Sequence, residues 1–158
     1  MQITRTVVLK KAGQIYYMNK AGAILVIEDD LDDQFLLKEI FRELNCANEI
    51  IFFEDGHSAL EFLTINDKSL FLILSDINLP KLSGIELRLK LKENADLHLK
   101  CIPYLFFTTS ANHKAVIEAY STSIQGFFTK PSSYADLKEQ IKVILDYWKH
   151  CSAPNNFL

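Results

Sequence analysis

The hydrophobic residues of this chain fall into short continuous runs separated by amphipathic stretches. Four runs lack polar alternation, and they cover residues 23–27, 50–53, 70–74 and 104–107. Runs of this kind are typical of strands that are covered on both faces, as in a parallel sheet. A fifth run, residues 124–129, is more polar and contains a glycine, which predicts an edge strand.

Apolar residues between these runs recur at the spacing of a helix that buries one face in a core. The stripes are Leu36, Leu37, Ile40, Phe41 and Leu44; Ala59, Leu60 and Leu63; Ile85, Leu87, Leu89 and Leu91; Val116, Ala119 and Tyr120; and Leu137, Ile141, Ile144, Leu145 and Trp148. Strand and helix therefore alternate five times along the chain. This alternation predicts a doubly wound α/β domain with right-handed crossovers.

The two ends of the chain differ from this regular pattern. We predict an N-terminal extension over residues 1–22, one domain over residues 23–151 and a tail over residues 152–158 that has no periodicity. The stretch "TVVLKKAGQIYYM" in the extension fits a β-hairpin and an irregular arm equally well. No separate output domain is expected, since 158 residues suit a single domain of this class.

The composition narrows the function classes. Hydrophobic residues make up 49% and charged residues 23% of the chain, which is typical of a globular protein. The net charge of −3, without a block of Lys and Arg, argues against a direct nucleic-acid partner. The absence of a transmembrane-length apolar run and of a signal peptide argues against a membrane partner.

The cysteines also indicate where the chain works. Cys46, Cys101 and Cys151 are odd in number and scattered, which favours a reduced, cytoplasmic compartment. His98 with Cys101, and His150 with Cys151, have no second ligand pair at useful spacing, so a zinc site is not expected.

Polar residues follow four of the five predicted strands directly. They are Glu28, Asp29 and Asp30 after the first strand, Asp76 after the third, Thr108 after the fourth and Lys130 after the fifth. In a doubly wound sheet the carboxyl ends of the strands meet at one edge, where ligands bind. We therefore expect an acidic cluster at that edge, with one hydroxyl and one ammonium group beside it.

Such a cluster suits a cation and a phosphoryl group. Clustered carboxylates do not all ionise comfortably without a positive charge, and Mg²⁺ prefers hard oxygen ligands of this kind. Lys130 and Thr108 carry donors for phosphoryl oxygens. An aspartate can act as the covalent nucleophile in phosphoryl transfer.

Each of these residues also has a structural interpretation. Asp32 and Asp33 fit the start of the first helix, because acids there suit the helix dipole. Asp76 fits a turn, Lys130 a solvated charge and Thr108 a strand hydroxyl. The coincidence at four strand ends favours a site, and Asp30 remains without an assigned role.

The motifs "ILVIEDD", "LILSDINLPKLSG", "LFFTT" and "FFTKP" occur in this order between about residue 23 and residue 147. In this order and spacing the chain resembles the receiver domain of two-component response regulators. The resemblance implies a flavodoxin-like, five-stranded parallel sheet in the order 2-1-3-4-5 with five flanking helices. The "EDDLDDQ" segment resembles single-domain regulators associated with phytochrome-type kinases.

The resemblance also assigns the site. It implies that Asp76 accepts a phosphoryl group from a phosphohistidine on a partner histidine kinase or phosphotransfer protein. It implies a Mg²⁺ ion held by Asp29 directly, by Glu28 through water, by Asp76 and by the main-chain carbonyl of Asn78. Glu28 stands where aspartate is commoner in the family, and its longer side chain alters the metal geometry slightly.

The remaining signatures concern switching. The resemblance makes Thr108 the switch hydroxyl, Lys130 the phosphate contact and Phe127 the aromatic switch, and it implies a cis peptide bond between Lys130 and Pro131. Thr109 stands where a smaller residue is common and would alter the phosphoryl lifetime. The output is then a contact with a downstream protein, with a homodimer as an open alternative.

Two other functions fit these residues less well. A phosphatase of the haloacid dehalogenase type needs a second acid two residues after its nucleophile, but Asn78 occupies that position. A phosphorylation-independent interaction module usually lacks Asp76, the acidic pair or Lys130, and this chain has all of them. The sequence therefore favours a non-enzymatic phospho-acceptor that assists its own phosphorylation and dephosphorylation.

Overall fold

The computed structural model describes residues 18–94 and 101–153. Its strands are β1 (Ala23–Ile27), β2 (Ile50–Phe53), β3 (Leu70–Ser75), β4 (Tyr104–Thr108) and β5 (Gly126–Thr129). The helices in these ranges are α1 (Leu31–Glu43), α2 (Gly56–Ile65), α3 (Gly84–Glu93), α4 (His113–Ser121) and α5 (Tyr134–His150). The hairpin or arm expected in the N-terminal extension lies mostly outside the described residues, as does most of the tail.

All five strands are parallel and are ordered β2-β1-β3-β4-β5. Every residue of β1, β3 and β4 is buried, whereas those of the edge strands β2 and β5 are half-buried or exposed. Three of the four continuous apolar runs are therefore central strands, which helices cover on both faces, whereas the run at residues 50–53 is the half-buried edge strand β2. The predicted fold class and strand order are confirmed.

The sheet separates two hydrophobic cores. The first core, on the side of α1 and α5, contains the buried residues Leu37, Ile40, Phe41, Leu137, Ile141, Ile144 and Leu145. The second, on the side of α2, α3 and α4, contains Ala59, Leu63, Leu87, Leu91, Phe106 and Ala119. These residues come from the predicted helical stripes and strands, so the stripes identify most of the buried helix faces, although Leu36 and Leu89 from the same stripes are exposed.

The stripe of α4 is the weakest of the predicted core faces. Ala119 is fully buried, but Tyr120 is 52% exposed. Helix α4 packs near β5, which is an edge strand of the sheet formed by the described residues. A helix in this position buries a narrower face, so part of its apolar pattern remains at the surface.

Residues at both ends of the described chain join the first core. Met18 is 3% exposed and Ala153 is 1% exposed, and both belong to the cluster formed by α1 and α5. The N–H of Asn19 donates to the carbonyl of Leu70 at 2.9 Å, which fixes the chain just before β1. Packing thus extends a few residues beyond each end of the span 23–151.

Among the residues that the structure describes, no helix is long and apolar enough to cross a membrane. Cys46, Cys101 and Cys151 are all half-buried and free of disulfide bonds.

Candidate functional site

Three carboxylates converge at the carboxyl edge of the sheet. Glu28 follows β1 and Asp76 follows β3, and the N–H of Asp76 donates to the carbonyl of Ile27 at 2.9 Å. Carboxylate oxygens of Glu28, Asp29 and Asp76 all lie within 4.8 Å of one another. Glu28 and Asp76 are buried, whereas Asp29 is exposed, so the cluster opens to solvent on one side.

Lys130 brings a positive charge into this cluster from the end of β5. Its main-chain N–H donates to the carbonyl of Thr108 at 2.8 Å, which aligns the two strand ends. The ammonium Nζ contacts Oε2 of Glu28, and it lies 2.8 Å from Oδ2 of Asp33 and 3.3 Å from Oδ2 of Asp76. The side chain of Lys130 is only 6% exposed, so these contacts are screened little by water.

Burial and ion pairing shift the pKa values of Glu28 and Lys130. Burial raises the pKa of Glu28 above its usual value, and the contact with Lys130 offsets only part of this effect. Burial alone would lower the pKa of Lys130, but its pairs with Asp33, Glu28 and Asp76 raise it above the usual value. Lys130 therefore stays charged, and the site retains excess negative charge.

The loop after β3 holds one oxygen of Asp76 and leaves the other facing Lys130. Oδ1 accepts hydrogen bonds from the N–H groups of Ile77 at 2.6 Å and Asn78 at 3.2 Å. Gly84 begins α3 against this loop, and a Cβ atom there would lie 2.1 Å from the carbonyl oxygen of Asp76. Only glycine permits this close approach, which explains the glycine in "LPKLSG".

Thr108 has an unusual environment at the end of β4. The residue is fully buried, yet its Oγ1 has no hydrogen-bond partner among the described residues. A buried hydroxyl normally has a partner, because leaving it unpaired costs about 1–3 kcal/mol. The donor set therefore fits an incoming group that supplies an acceptor, such as a phosphoryl oxygen.

Phe127 and Pro131 lie on either side of Lys130 along the chain. Phe127 pairs with Phe106 in the sheet, and its half-buried ring lies 6.3 Å from the Phe106 ring at 59°. The peptide bond between Lys130 and Pro131 is trans, so the expected cis bond is wrong. A trans bond agrees with the intrinsic preference of X-Pro bonds, about 0.5–1 kcal/mol.

Asp30, which the sequence left unassigned, is the N-cap of α1. Its Oδ1 accepts hydrogen bonds from the N–H groups of Asp32 at 2.8 Å and Asp33 at 3.1 Å. Asp32 and Asp33 stand in the first turn, as expected for acids that start a helix. The contact of Asp33 with Lys130 was not predicted, because the sequence pattern does not indicate which way a side chain in the first turn of α1 points.

Because Asp30 caps α1, the Asp30→Ala substitution should lower the stability of the domain. We expect the free energy of unfolding to fall by about 1 kcal/mol, because two N–H groups lose their acceptor. Urea denaturation measures this, with Asp32→Ala as the matched control, since the exposed Asp32 side chain caps nothing in the described structure. Equal stability losses in both variants would contradict the assignment.

The chain belongs to the response regulator receiver domain family, whose model matches residues 24–142. The parallel sheet in the order 2-1-3-4-5 and the acidic cluster at its carboxyl edge agree with this membership. The domain is a signalling phospho-acceptor of two-component systems and not a conventional enzyme.

Individual relatives agree with this assignment. Response regulator Rcp1 of Synechocystis sp. is 34% identical over 135 residues, which cover 82% of this chain and 90% of Rcp1. The crystal structure of phosphorylated RcpA, a cyanobacterial phytochrome response regulator, has a TM-score of 0.77 and 27% identity, covering 84% of this chain and 98% of RcpA. The Mn²⁺-bound form of Rcp1 has a TM-score of 0.75 and 33% identity, covering 84% of this chain and 99% of that one.

Proposed function

We propose that Asp76 is the residue that accepts the phosphoryl group, from a phosphohistidine on a histidine kinase or phosphotransfer protein. The observation that carries this proposal is the environment of its carboxylate. The group is buried at the sheet edge, its Oδ1 is held by two main-chain N–H groups, and its Oδ2 lies 3.3 Å from the Lys130 ammonium. One oxygen is thus fixed, while the other faces the positive charge that a phosphoryl group requires.

We propose that Asp29, Asp76 and the main-chain carbonyl of Asn78 bind Mg²⁺ directly, with Glu28 acting through water. The mutual proximity of the three carboxylates supports this, as does the Mn²⁺ ion in the similar protein Rcp1. Glu28 contacts the Lys130 ammonium more closely than Asp76 does, which supports an indirect role for Glu28. Bound Mg²⁺ supplies positive charge that neutralises phosphoryl oxygens.

In the proposed transfer, an oxygen of Asp76 forms a bond to phosphorus as the bond from phosphorus to the donor imidazole nitrogen breaks. The electron pair of the broken bond stays on the imidazole. Lys130 and Thr108 then donate hydrogen bonds to the phosphoryl oxygens, which satisfies the unpaired Thr108 hydroxyl. Through these contacts the chain assists its own phosphorylation and dephosphorylation.

The proposed output is a change of the surface formed by α4, β5 and α5. Movement of Thr108 towards the phosphoryl group leaves space into which the ring of Phe127 turns. This surface has exposed apolar side chains suited to a protein contact, namely Ile117 and Tyr120 on α4 and Val143 and Tyr147 on α5. A downstream protein is the proposed partner, with a homodimer as the alternative that sedimentation with and without beryllofluoride would separate.

The proposed division of the chain is a receiver domain over residues 23–151, an extension over residues 1–22 and a tail over residues 152–158. The family match over residues 24–142 supports the central part of this division.

A cytoplasmic location is supported by the three free cysteines, since a reducing compartment keeps thiols unpaired.

Beryllofluoride, which mimics an aspartyl phosphate, tests the proposed site. We expect the full chain to bind it in millimolar Mg²⁺ and not after chelation of the metal, because the excess negative charge otherwise repels an anion. Isothermal titration calorimetry measures this, and Asp29→Asn is expected to weaken binding about tenfold or more. Binding that is independent of both the metal and Asp29 would refute the proposed metal site.

A further inference from the structure

Helix α3 buries a positive charge at a distance from the phospho-acceptor site. Arg88 is 5% exposed, and no ion pair to it is found among the described residues. Its Nε donates to the carbonyl of Thr122 at 3.2 Å, and its Nη2 donates to the carbonyl of Ser123 at 2.7 Å. A buried charge is costly unless it is compensated, and these two carbonyls accept its hydrogen bonds within the described part of the chain.

The two carbonyls belong to the C-terminal end of α4. Thr122 is the C-cap of this helix, and Ser123 follows with a φ of 61°. Glycine usually occupies such a left-handed position, so the serine backbone needs support from its surroundings. The guanidinium provides this support, and its charge complements the negative end of the helix dipole.

The same arginine is connected to the loop that carries Asp76. The guanidinium lies 5.4 Å from the centre of the Tyr104 ring, and the Tyr104 hydroxyl donates to the carbonyl of Gly84 at 3.2 Å. The N–H of Gly84 in turn donates to the carbonyl of Ile77 at 2.9 Å, next to Asp76. Tyr104 is fully buried, so a displacement of Gly84 would be passed to the ring and to Arg88.

The arginine is also connected to the start of β5. The Gln125 side chain accepts from the N–H of Tyr104 at 2.7 Å and donates to the carbonyl of Ser123 at 3.1 Å. Gln125 precedes Phe127 by two residues. We call Arg88, Tyr104, Ser123 and Gln125 the Arg88 cluster. It touches the phospho-acceptor loop at one end and the beginning of β5 at the other.

We propose that Arg88 is the positioning residue through which the occupancy of the Asp76 site is transmitted to the C-terminal end of α4 and the start of β5. This rests on the proposed function, in which Asp76 is the phospho-acceptor. The Arg88 guanidinium contacts both Tyr104, which is hydrogen-bonded to Gly84, and the two carbonyls at the end of α4, so it provides a direct route from Gly84 to α4. Arg88 has no direct contact with Asp76 and acts on the output surface, not on the acceptor.

Amide hydrogen exchange with and without beryllofluoride and Mg²⁺ tests this on the full chain. The variants are Arg88→Leu, which removes both donors, and Gln125→Met, which removes the parallel link at an exposed position. Arg42→Leu is the matched control, because Arg42 is an exposed arginine on α1 paired only with Glu39 in the described structure. Calorimetry on each variant measures beryllofluoride binding separately.

In the wild-type chain and in Arg42→Leu, we expect beryllofluoride to change the exchange of peptides covering residues 117–126. In Arg88→Leu the ligand-dependent change should be lost, although the affinity stays within about tenfold, because Arg88 contacts no group of the Asp76 site and loss of coupling changes the affinity only by the coupling factor. Gln125→Met should reduce the change by about half, which keeps the proposal testable if Arg88→Leu does not fold.

Three results would overturn the proposal. One is an unchanged ligand-dependent difference in Arg88→Leu, even if that variant exchanges faster overall, because this indicates a purely structural role. Another is an unchanged difference in Gln125→Met when Arg88→Leu does not fold. The third is a wild-type chain that binds beryllofluoride without any change in residues 117–126. Failure of the wild-type chain to bind beryllofluoride would instead refute the proposed function.

Discussion

The Asp76→Asn variant is expected to incorporate no phosphoryl group from acetyl phosphate under conditions in which the wild-type chain is labelled. The amide has nearly the shape of the carboxylate but lacks the nucleophilic oxygen anion that would attack phosphorus. Its carbonyl oxygen can still accept the hydrogen bonds from Ile77 and Asn78. Mass spectrometry of the intact chain measures incorporation, and circular dichroism checks that the variant is folded.

The fold should survive this substitution, because it removes one of three carboxylates that share the Lys130 ammonium. Asp32→Asn is the matched control, since it also removes an acid at this edge, but from an exposed position in α1. The control should be labelled as fully as the wild-type chain. Stoichiometric labelling of Asp76→Asn would mean that another residue, such as Glu28 or Asp29, accepts the phosphoryl group.

The sequence predicts much of the fold because strands buried on both faces leave a clear pattern. The runs at residues 23–27 and 50–53 coincide with β1 and β2, and the third and fourth strands each continue for one residue beyond the predicted run. Each of those two extensions is a buried polar residue, Ser75 or Thr108, at a strand end. A polar residue ends the apolar run in the sequence while the strand still continues, so each predicted strand ends one residue too early.

The meeting of Glu28, Asp76 and Lys130 was predictable because parallel strands end at the same edge of a sheet. Two other contacts could not be predicted from the sequence, namely that of Asp33 with Lys130 and that of Arg88 with the end of α4. Both depend on which way a helical side chain points after the helix has packed on the sheet. A single sequence carries the periodicity of a helix, but it does not specify which distant backbone group a particular polar side chain reaches.

The Lys130→Met variant is expected to be less stable than the wild-type chain by about 3 kcal/mol at neutral pH without Mg²⁺. Lys130 is the cation that contacts Glu28, Asp33 and Asp76, and the first and last of these are buried. Without it, buried carboxylates face one another without compensation. Urea denaturation in a metal-free buffer measures the loss, and Lys68→Met, which removes a half-exposed ion pair with Glu49, should cost less than about 1 kcal/mol.

The loss should shrink at lower pH and on addition of Mg²⁺. The pKa of Glu28 is already raised by burial, and removal of Lys130 takes away the contact that partly offsets this effect. A carboxyl group whose pKa is higher in the folded than in the unfolded state destabilises the fold as pH rises through the folded value, so the variant should regain stability relative to wild type when the pH is lowered from neutral to just above the usual pKa of a glutamate. Mg²⁺ should likewise stabilise the variant more than the wild-type chain, because it replaces the missing positive charge. A constant difference between the two chains at both pH values would mean that Lys130 stabilises the domain through packing and not by neutralising the acidic cluster.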